Sequence, residues 1–95
     1  MFSIVIPTYN NLKYLELCLK SLKINSKYDH EIIIHINEGI DGTINYLRDK
    51  DYKVTYTSKN EGVCVAFNKA AMQATKKYLV LAHDDMYFCP KWDVV

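Results

Sequence analysis

The sequence predicts an α/β domain in which a parallel sheet carries helices on both faces. Strand-like and helix-like segments alternate along the whole chain, which is typical of consecutive β-α-β units. The isoleucine run Ile32–Ile34 is typical of a strand that is covered on both faces. With 95 residues the chain should form one domain, which we place at residues 1–95. Each crossover between strands should be right-handed.

Four segments have the character of strands. Ser3–Ile6 is a short apolar run that should stop at Pro7, because proline cannot donate to a sheet ladder. Glu31–Ile36 is the isoleucine-rich second strand, and Tyr52–Thr57 is rich in β-branched and aromatic residues. Tyr78–Ala82 is an apolar run that ends before two adjacent acidic residues. These four segments are the predicted strands one to four.

Apolar residues at helical spacing predict helices between the strands. The first helix should cover about residues 11–24, with Asn10 or Asn11 as its N-cap. Asp41-Gly42-Thr43 should begin a short second helix that ends at about Asp49. This helix should bury two apolar side chains, Ile44 and Leu47.

A third helix is predicted from about Glu61 to Lys77, directly after Asn60. It carries one apolar stripe, formed by Val63, Phe67, Ala70, Ala71 and Ala74. Pro90 suits the first turn of a further helix near the end of the sequence.

Charge and cysteine content exclude several classes of protein. The formal net charge is +1, so no nucleic-acid partner is expected. Cys18, Cys64 and Cys89 have no metal spacing and predict no disulfide framework. Cys18 and Cys64 should be small buried residues of helices, in a reducing, cytoplasmic protein. Neither a signal peptide nor a transmembrane segment is predicted.

The turn after the first strand is the first candidate binding site, because open parallel sheets bind ligands beyond the carboxyl ends of their strands. Here the sequence is Pro7-Thr8-Tyr9-Asn10-Asn11, in which an aromatic ring, a hydroxyl and two amides can stack on a base and bond its edges. The chain lacks the glycine-rich motifs of dinucleotide-binding and P-loop proteins. The charge of any bound phosphate must therefore be neutralised elsewhere.

Asp84 and Asp85 follow the fourth strand and are the candidate metal ligands. Two carboxylates at such a bend can present oxygens to Mg²⁺ or Mn²⁺, which would also bind a diphosphate. The alternative is an acidic loop in solvent or a helix cap. The position at the carboxyl end of a strand, opposite the turn after strand one, favours the metal site.

The histidines and late aromatic residues have less defined roles. His83 is expected to be a hydrogen-bonding partner of the acidic pair rather than a ligand, His35 is expected to be structural, and His30 should lie in a loop. Three aromatic residues could line a sugar pocket or, equally well, bury the end of the sheet: Tyr87, Phe88 and Trp92.

Five segments in order resemble the start of a family 2 glycosyltransferase of the GT-A fold. They are Ser3-Ile-Val-Ile-Pro-Thr-Tyr-Asn10, the helix from Leu15 to Leu22, Glu31–Ile34 with Asp41-Gly42-Thr43, the series Asn60, Gly62, Asn68 and Ala74, and His83-Asp84-Asp85-Met86 with Pro90 and Trp92. The resemblance covers nearly the whole chain. It implies a Rossmann-like parallel sheet with strand order 3-2-1-4.

The resemblance also implies a function and site residues. The enzyme would move a sugar from a UDP-, GDP- or dTDP-sugar to a glycan or lipid-linked acceptor, such as a bacterial surface polysaccharide or glycolipid. The cofactor would be Mn²⁺ or Mg²⁺, held by Asp85 with Asp84. The implied nucleotide-sugar contacts are Pro7, Thr8, Tyr9, Asn37, Asn68 and Asp84. The general base is expected beyond Val95, in an acceptor-binding half, with the full-length protein cytoplasmic or peripheral at the inner face of the membrane.

Three positions depart from the family pattern. Ile36-Asn37-Glu38 stands where many members have two acidic residues after strand two, so the identity of the base is left open. Phe67 stands where many members have arginine, and Ala82 stands at the first acid of the common D-x-D form. Two other functions are compatible with the sequence: a non-catalytic nucleotide-sugar-binding module, and a sugar-phosphate nucleotidyltransferase. A phosphoacceptor receiver domain is excluded, because its acidic pair follows strand one.

Overall fold

The computed structural model describes residues 1–48 and 50–94. It contains a four-stranded parallel sheet of order β3-β2-β1-β4. The strands are β1 (Ser3–Tyr9), β2 (Glu31–Asn37), β3 (Lys53–Thr57) and β4 (Leu79–Leu81). The predicted parallel sheet and its strand order are therefore confirmed.

Three helices cover the two faces of this sheet: α1 (Leu12–Asn25), α2 (Thr43–Arg48) and α3 (Val63–Ala71). Successive residues of a strand point to opposite faces. On one face, Ile4, Ile6, Ile34 and Ile36 pack with α1 and α2 through Leu15, Leu19, Leu22 and Leu47. On the other face, Val5 and Ile33 pack with Ala70 and Phe67 of α3. The predicted end of the second helix, at about Asp49, lies outside the described residues.

Pro7 lies inside β1, so the prediction that it stops the strand is wrong. Ser3 and Val5 bond to β4 through their backbone groups, and Pro7 continues this alternation. Its missing N–H would therefore point to the side on which β4 has already ended, at Leu81. The strand continues to Tyr9 with β2 as its partner. The carboxyl end of β1 thus extends beyond β4.

The third helix ends at Ala71, whereas the sequence predicts an end at Lys77. The reason is a tertiary contact. The N–H and the hydroxyl of Thr75 each donate a 2.8 Å hydrogen bond to the carboxylate of Glu31, at the start of β2. The chain leaves the helix to make these contacts and then enters β4. The local helical propensity of the segment is overridden.

Three side chains are more exposed than predicted. Cys64 and Val63 are exposed, because the residues of α3 that are buried against the sheet are Ala66 and Ala70. Ile44 of α2 is 37% exposed, whereas Leu47 is buried as predicted. The buried position of Cys18 in α1 is also confirmed.

Pro90 does not begin a helix within the described residues, where residues 90–93 form a turn. The carboxylate of Asp93 anchors this turn by accepting hydrogen bonds from the backbone N–H groups of Lys27 and Tyr28, at 2.9 to 3.0 Å. Its Oδ2 also lies 2.8 Å from Nε2 of His30. Although burial opposes the change, these hydrogen bonds hold the pKa of Asp93 below its usual range. The last turn is thereby fastened to the end of α1.

None of the helices in the described part of the chain combines the length and the apolar character that a bilayer-crossing helix needs.

Candidate functional site

A cleft of about 320 Å³ lies at the carboxyl ends of the strands. Its lining comes from four places in the sequence: Pro7, Thr8, Tyr9 and Asn11 at and after the end of β1, Asn37 at the end of β2, Asn60, Gly62 and Val63 at the start of α3, and His83 and Asp84 after β4. A cavity of about 400 Å³ lies near the amino ends of β2 and β3. Only the first cleft has the position expected of a ligand site in an open parallel sheet.

Thr8 connects the two predicted halves of the site. Its hydroxyl donates a 2.8 Å hydrogen bond to Oδ2 of Asp84. Thr8 is buried at the end of β1, and Asp84 is half-buried in the loop after β4. The bond orients one carboxylate of the acidic pair toward the turn after β1, as the sequence predicted from their positions alone.

Asp85 follows Asp84 directly in the sequence and is exposed. Within residues 1–48 and 50–94, no group of three or more His, Cys, Asp or Glu side chains is arranged to hold a metal ion. Mg²⁺ is commonly bound by one or two carboxylates together with substrate phosphates and water. Two carboxylates that are neighbours in the sequence are a donor set that a divalent cation can use when a diphosphate and solvent supply its remaining ligands.

Cys18 lies beneath the acidic loop. Its thiol is buried in α1 and lies 3.8 Å from the backbone oxygen of His83, to which it donates. Burial raises the pKa of Cys18 to about 11, and the negative charges of Asp84 and Asp85 contribute to the rise. The thiol is protonated at neutral pH and is not a metal ligand of the kind that needs a thiolate.

Asn37 forms the buried end of the cleft and is only 3% exposed. Its Oδ1 accepts hydrogen bonds from the hydroxyl of Thr57, at 2.9 Å, and from the backbone N–H of Glu61, at 3.4 Å. Both bonds use the oxygen. Within the described residues, neither of these hydrogen bonds uses the amide nitrogen of Asn37. This nitrogen is not fully buried, since every fully buried side-chain nitrogen or oxygen there has a hydrogen-bond partner.

The loop after β2 holds the turn after β1 in place. Oδ2 of Asp41 accepts a 2.9 Å hydrogen bond from the N–H of Leu12, and Oδ1 of Asn10 accepts one of 2.9 Å from the N–H of Ile40. Asn11 makes no side-chain cap within the described residues, so the predicted capping by Asn10 or Asn11 is wrong. Although partial burial opposes it, hydrogen bonds from Thr43 and Leu12 lower the pKa of Asp41.

Gly39 allows the close packing of this loop. Its φ is +68°, and a Cβ placed there would lie 2.5 Å from a methyl carbon of Ile36. Only glycine fits this position without displacing the core side of β2.

The structure brings together five of the seven predicted site residues: Pro7, Thr8, Tyr9, Asn37 and Asp84. Asp85 is adjacent to the cleft in sequence but does not line it, and Asn68 is exposed on α3, also outside the lining. Asn11, which belongs to the predicted turn after β1, also lines the cleft. Three lining residues were missed as candidates: Asn60, Gly62 and Val63. The signal that could have found them was their position directly after strand three, at the start of a helix.

The remaining candidates have structural roles. His35 is fully buried in β2, as predicted. His83 lines the cleft, but its ring contacts Phe67 edge-on at 5.9 Å rather than bonding to the acidic pair. Phe88 and Trp92 pack against each other at 4.8 Å and belong to the core on the α1 face. These two therefore bury the end of the sheet, which was one of the two predicted roles, and Tyr87 is exposed.

Comparison with known proteins places the chain in a family. The model of glycosyl transferase family 2 matches residues 3–93. The chain belongs to this family. It is 31% identical over 90 residues to TuaG of Bacillus subtilis, a putative teichuronic acid biosynthesis glycosyltransferase. It is 32% identical over 97 residues to an uncharacterised glycosyltransferase of Rickettsia conorii.

The matches cover most of this chain and a smaller part of the relatives. The chain spans 36% of the length of TuaG and 16% of that of the Rickettsia protein, while 90% and 97% of the chain are covered.

Solved structures share the fold. Residues 1–349 of Staphylococcus aureus TarS superpose with a TM-score of 0.82 at 26% identity, over 95% of this chain and 29% of that one. TarS in complex with UDP gives a TM-score of 0.79 at 27% identity, over 93% and 28%. The mannosyltransferase PcManGT of Pyrobaculum calidifontis, in complex with GDP-Man and Mn²⁺, superposes with a TM-score of 0.80 at 24% identity. The match covers 97% of this chain and 29% of that one, and it shows likeness of fold alone.

Proposed function

We propose that this chain is the donor-binding part of a glycosyltransferase, and that a nucleotide-diphosphate sugar binds in the cleft at the carboxyl ends of the strands. The observation that carries the proposal is the hydrogen bond from Thr8 to Asp84. It joins the turn suited to a nucleoside with the acidic pair suited to a diphosphate and its metal. Family membership and the UDP complex of TarS support a nucleotide-sugar donor.

The nucleoside would lie along the turn after β1. Tyr9 is 48% exposed at the mouth of the cleft, so its ring is free to stack on a base. Pro7 contributes an apolar wall without an N–H, and Asn37 offers its amide at the buried end. Asn68 is a weaker candidate for a sugar contact, since reaching it would require the ligand to extend along α3.

The acidic pair would hold the diphosphate through a divalent cation, Mg²⁺ or Mn²⁺. Asp85 is the free carboxylate and the expected direct ligand, while Asp84 is oriented by Thr8 and faces the cleft. Such a cation supplies neutralisation of the charge that develops on the departing diphosphate. Asp84, which is held by the hydrogen bond from Thr8, would orient the nucleotide sugar on the side of the acidic pair that faces the cleft.

The acceptor-binding part and the general base would be supplied by other regions of the protein that contains this chain. A glycan or lipid-linked acceptor in bacterial surface polysaccharide synthesis is the expected class, and TuaG, itself putatively a biosynthetic glycosyltransferase, supports it. We expect the protein to act in the cytoplasm, at or near the inner face of the membrane. Transfer to water or acceptor would distinguish it from a non-catalytic binding module.

Nuclear magnetic resonance titration tests the proposal. UDP, GDP and dTDP are added in turn to the chain, with and without Mg²⁺, and the backbone amide signals are followed. We expect the largest shifts at Thr8, Tyr9 and Asn37, with tighter binding when Mg²⁺ is present. Shifts clustered at the other cavity, around His30 and Tyr52, would contradict the assignment of the site.

A further inference from the structure

The amide of Asn37 has a defined orientation in the cleft. The backbone N–H of Glu61 lies 3.4 Å from Oδ1, and a backbone N–H can only donate. In the opposite orientation, the NH₂ group of Asn37 would face this N–H, and two donors would meet. The contact from Glu61 therefore uses the oxygen and leaves the amide nitrogen, which is not fully buried, available to a ligand in the cleft.

The hydroxyl of Thr57 contacts two oxygens with a single proton. It lies 2.9 Å from Oδ1 of Asn37 and also 2.9 Å from the backbone oxygen of Lys59. Whichever of these two oxygens receives it, the proton of Thr57 is used on that side. Any other neighbour of this hydroxyl must donate to it.

That neighbour is His35. Its Nε2 lies 3.1 Å from the hydroxyl oxygen of Thr57, and its Nδ1 lies 2.7 Å from the hydroxyl of Thr55. Since Thr57 has no second proton to give, Nε2 must carry the ring proton and donate, while Nδ1 accepts from Thr55. Burial lowers the pKa of His35, although the side chain of Asn37 opposes the change. A neutral ring that donates from Nε2 leaves the proton of Thr57 for the oxygens of Asn37 and Lys59.

We propose that Asn37 is a fixed hydrogen-bond donor at the buried end of the cleft, oriented by Glu61, and that His35 is a positioning residue that, by donating to Thr57, keeps the Thr57 proton available for Oδ1 of Asn37. This proposal rests on the proposed function, and it limits which kind of ligand atom can meet Asn37. The atom that meets Asn37 must be an acceptor, such as a carbonyl oxygen or an unprotonated ring nitrogen of a nucleobase. A carboxylate at the same position would select a protonated ring nitrogen instead.

The first experiment replaces the hydrogen-bond donor at residue 37 by an acceptor. Asn37→Asp keeps the oxygen that accepts from Thr57 and Glu61 but replaces the donor by an acceptor. Affinity for UDP and for GDP is measured beside affinity for inorganic pyrophosphate, which reports the effect of the added charge without a base. We expect the nucleotide affinities to fall roughly tenfold more than the pyrophosphate affinity. An equal fall, or tighter nucleotide binding in the variant, would overturn the proposal.

The second experiment tests the positioning role. Thr57→Val removes the hydroxyl, Thr57→Ser restores it, and Val54→Ala changes an exposed side chain of the same strand as a control for the stability of the sheet. We expect a fall of roughly three- to tenfold in nucleotide affinity for Thr57→Val only. A loss of the same size in Val54→Ala, or no rescue by serine, would assign the effect to general stability of the sheet.

A measurement without ligand separates this proposal from the proposed function. In the free chain, a ¹⁵N–¹H correlation spectrum of the imidazole should show the proton of His35 on Nε2, and the side-chain amide protons of Asn37 should show no strong NOE to the N–H of Glu61. A proton on Nδ1, or that strong NOE, would refute the positioning chain. If these signals agree and no nucleotide binds, the proposed function fails while the orientation of Asn37 stands.

Discussion

The hydroxyl of Thr8 donates to Oδ2 of Asp84 across 2.8 Å, although 76 positions separate the two residues in the sequence. The bond ties the end of the central strand to the loop that follows the outer one. It also makes the two adjacent acids unequal, since Asp84 is oriented and Asp85 is left exposed. Substitutions at the two positions should therefore have different effects.

Thr8→Val removes the donor while keeping the shape of the side chain. Asp84 then loses its orientation, and the free energy of unfolding should fall by about 1 kcal/mol. The affinity for Mn²⁺ in the presence of UDP should fall roughly threefold. Calorimetric titration and a denaturant melt measure the two effects, and Thr8→Ser is the matched control that should retain both values. Unchanged metal affinity in Thr8→Val would show that the bond does not position the acid.

Asp85→Asn removes a charged oxygen but keeps the shape of an exposed side chain. In an active transferase that contains this chain, the transfer rate should fall roughly a thousandfold, because stabilisation of the departing diphosphate is lost. The free energy of unfolding should change by less than about 0.5 kcal/mol. The measurement is the transfer rate as a function of Mn²⁺ or Mg²⁺ concentration, beside a thermal melt.

Asp84→Asn and a variant of a distant exposed acid, Glu16→Gln, complete the Asp85 series. Glu16→Gln should leave the rate and the melt unchanged. An unaltered rate in Asp85→Asn would mean that the pair is an acidic loop in solvent. A loss of both rate and melting temperature would indicate a structural role.

Glu31→Gln tests a stabilising network at the opposite end of the sheet. Glu31 accepts hydrogen bonds from Lys53, Ser3 and Thr75, and these hold the pKa of its carboxyl well below its usual range, mainly through Lys53. A lowered pKa in the folded state means stability that is present above the unfolded pKa of about 4.3 and lost as the pH falls below it.

At about pH 7, Glu31→Gln should lower the free energy of unfolding by about 2 kcal/mol. The difference from wild type should shrink as the pH is lowered through about 4 toward 2. Urea melts over this range measure both, with Glu16→Gln as the exposed control. A difference that is independent of pH would show that the loss comes from packing rather than from the charge.

Asp41→Ala tests the cap that α1 receives from the loop after β2. The variant removes the acceptors for the N–H of Leu12 and for the backbone and hydroxyl of Thr43. We expect a loss of about 1 to 2 kcal/mol in the free energy of unfolding and faster hydrogen exchange at Leu12. Asn11→Ala is the contrasting variant and should cost much less, since its side chain does not cap the helix. Equal losses would contradict the assigned cap.

Most of the sheet could be predicted because its elements are encoded locally. The isoleucines of β2 predict a buried strand, and the alternation of strands with amphipathic helices predicts the parallel sheet, without information from distant residues. The position of Asp84 at the end of a strand was enough to place it beside the turn after β1.

The errors arose where distant residues decide the outcome. Nothing near Ala71 in the sequence ends a helix, and α3 stops because Thr75 bonds to Glu31. Asn11 has the composition of an N-cap, but Asp41, from another loop, takes that role. The orientation of Asn37 likewise depends on Thr57 and Glu61, which are 20 and 24 positions away.

Cys18 gives the chain an internal reporter of motion at the acidic loop. Cys64 and Cys89 are exposed and should react with a thiol reagent at once, whereas Cys18 is closed off under His83. We expect its alkylation to need either opening of this loop or unfolding of the core, so the rate of that slow phase reports how often the thiol is uncovered. A nucleotide and a divalent cation that clamp the loop should slow the phase in proportion to their occupancy. The buried thiol thus provides a kinetic assay of ligand binding that needs neither a label nor a turnover reaction.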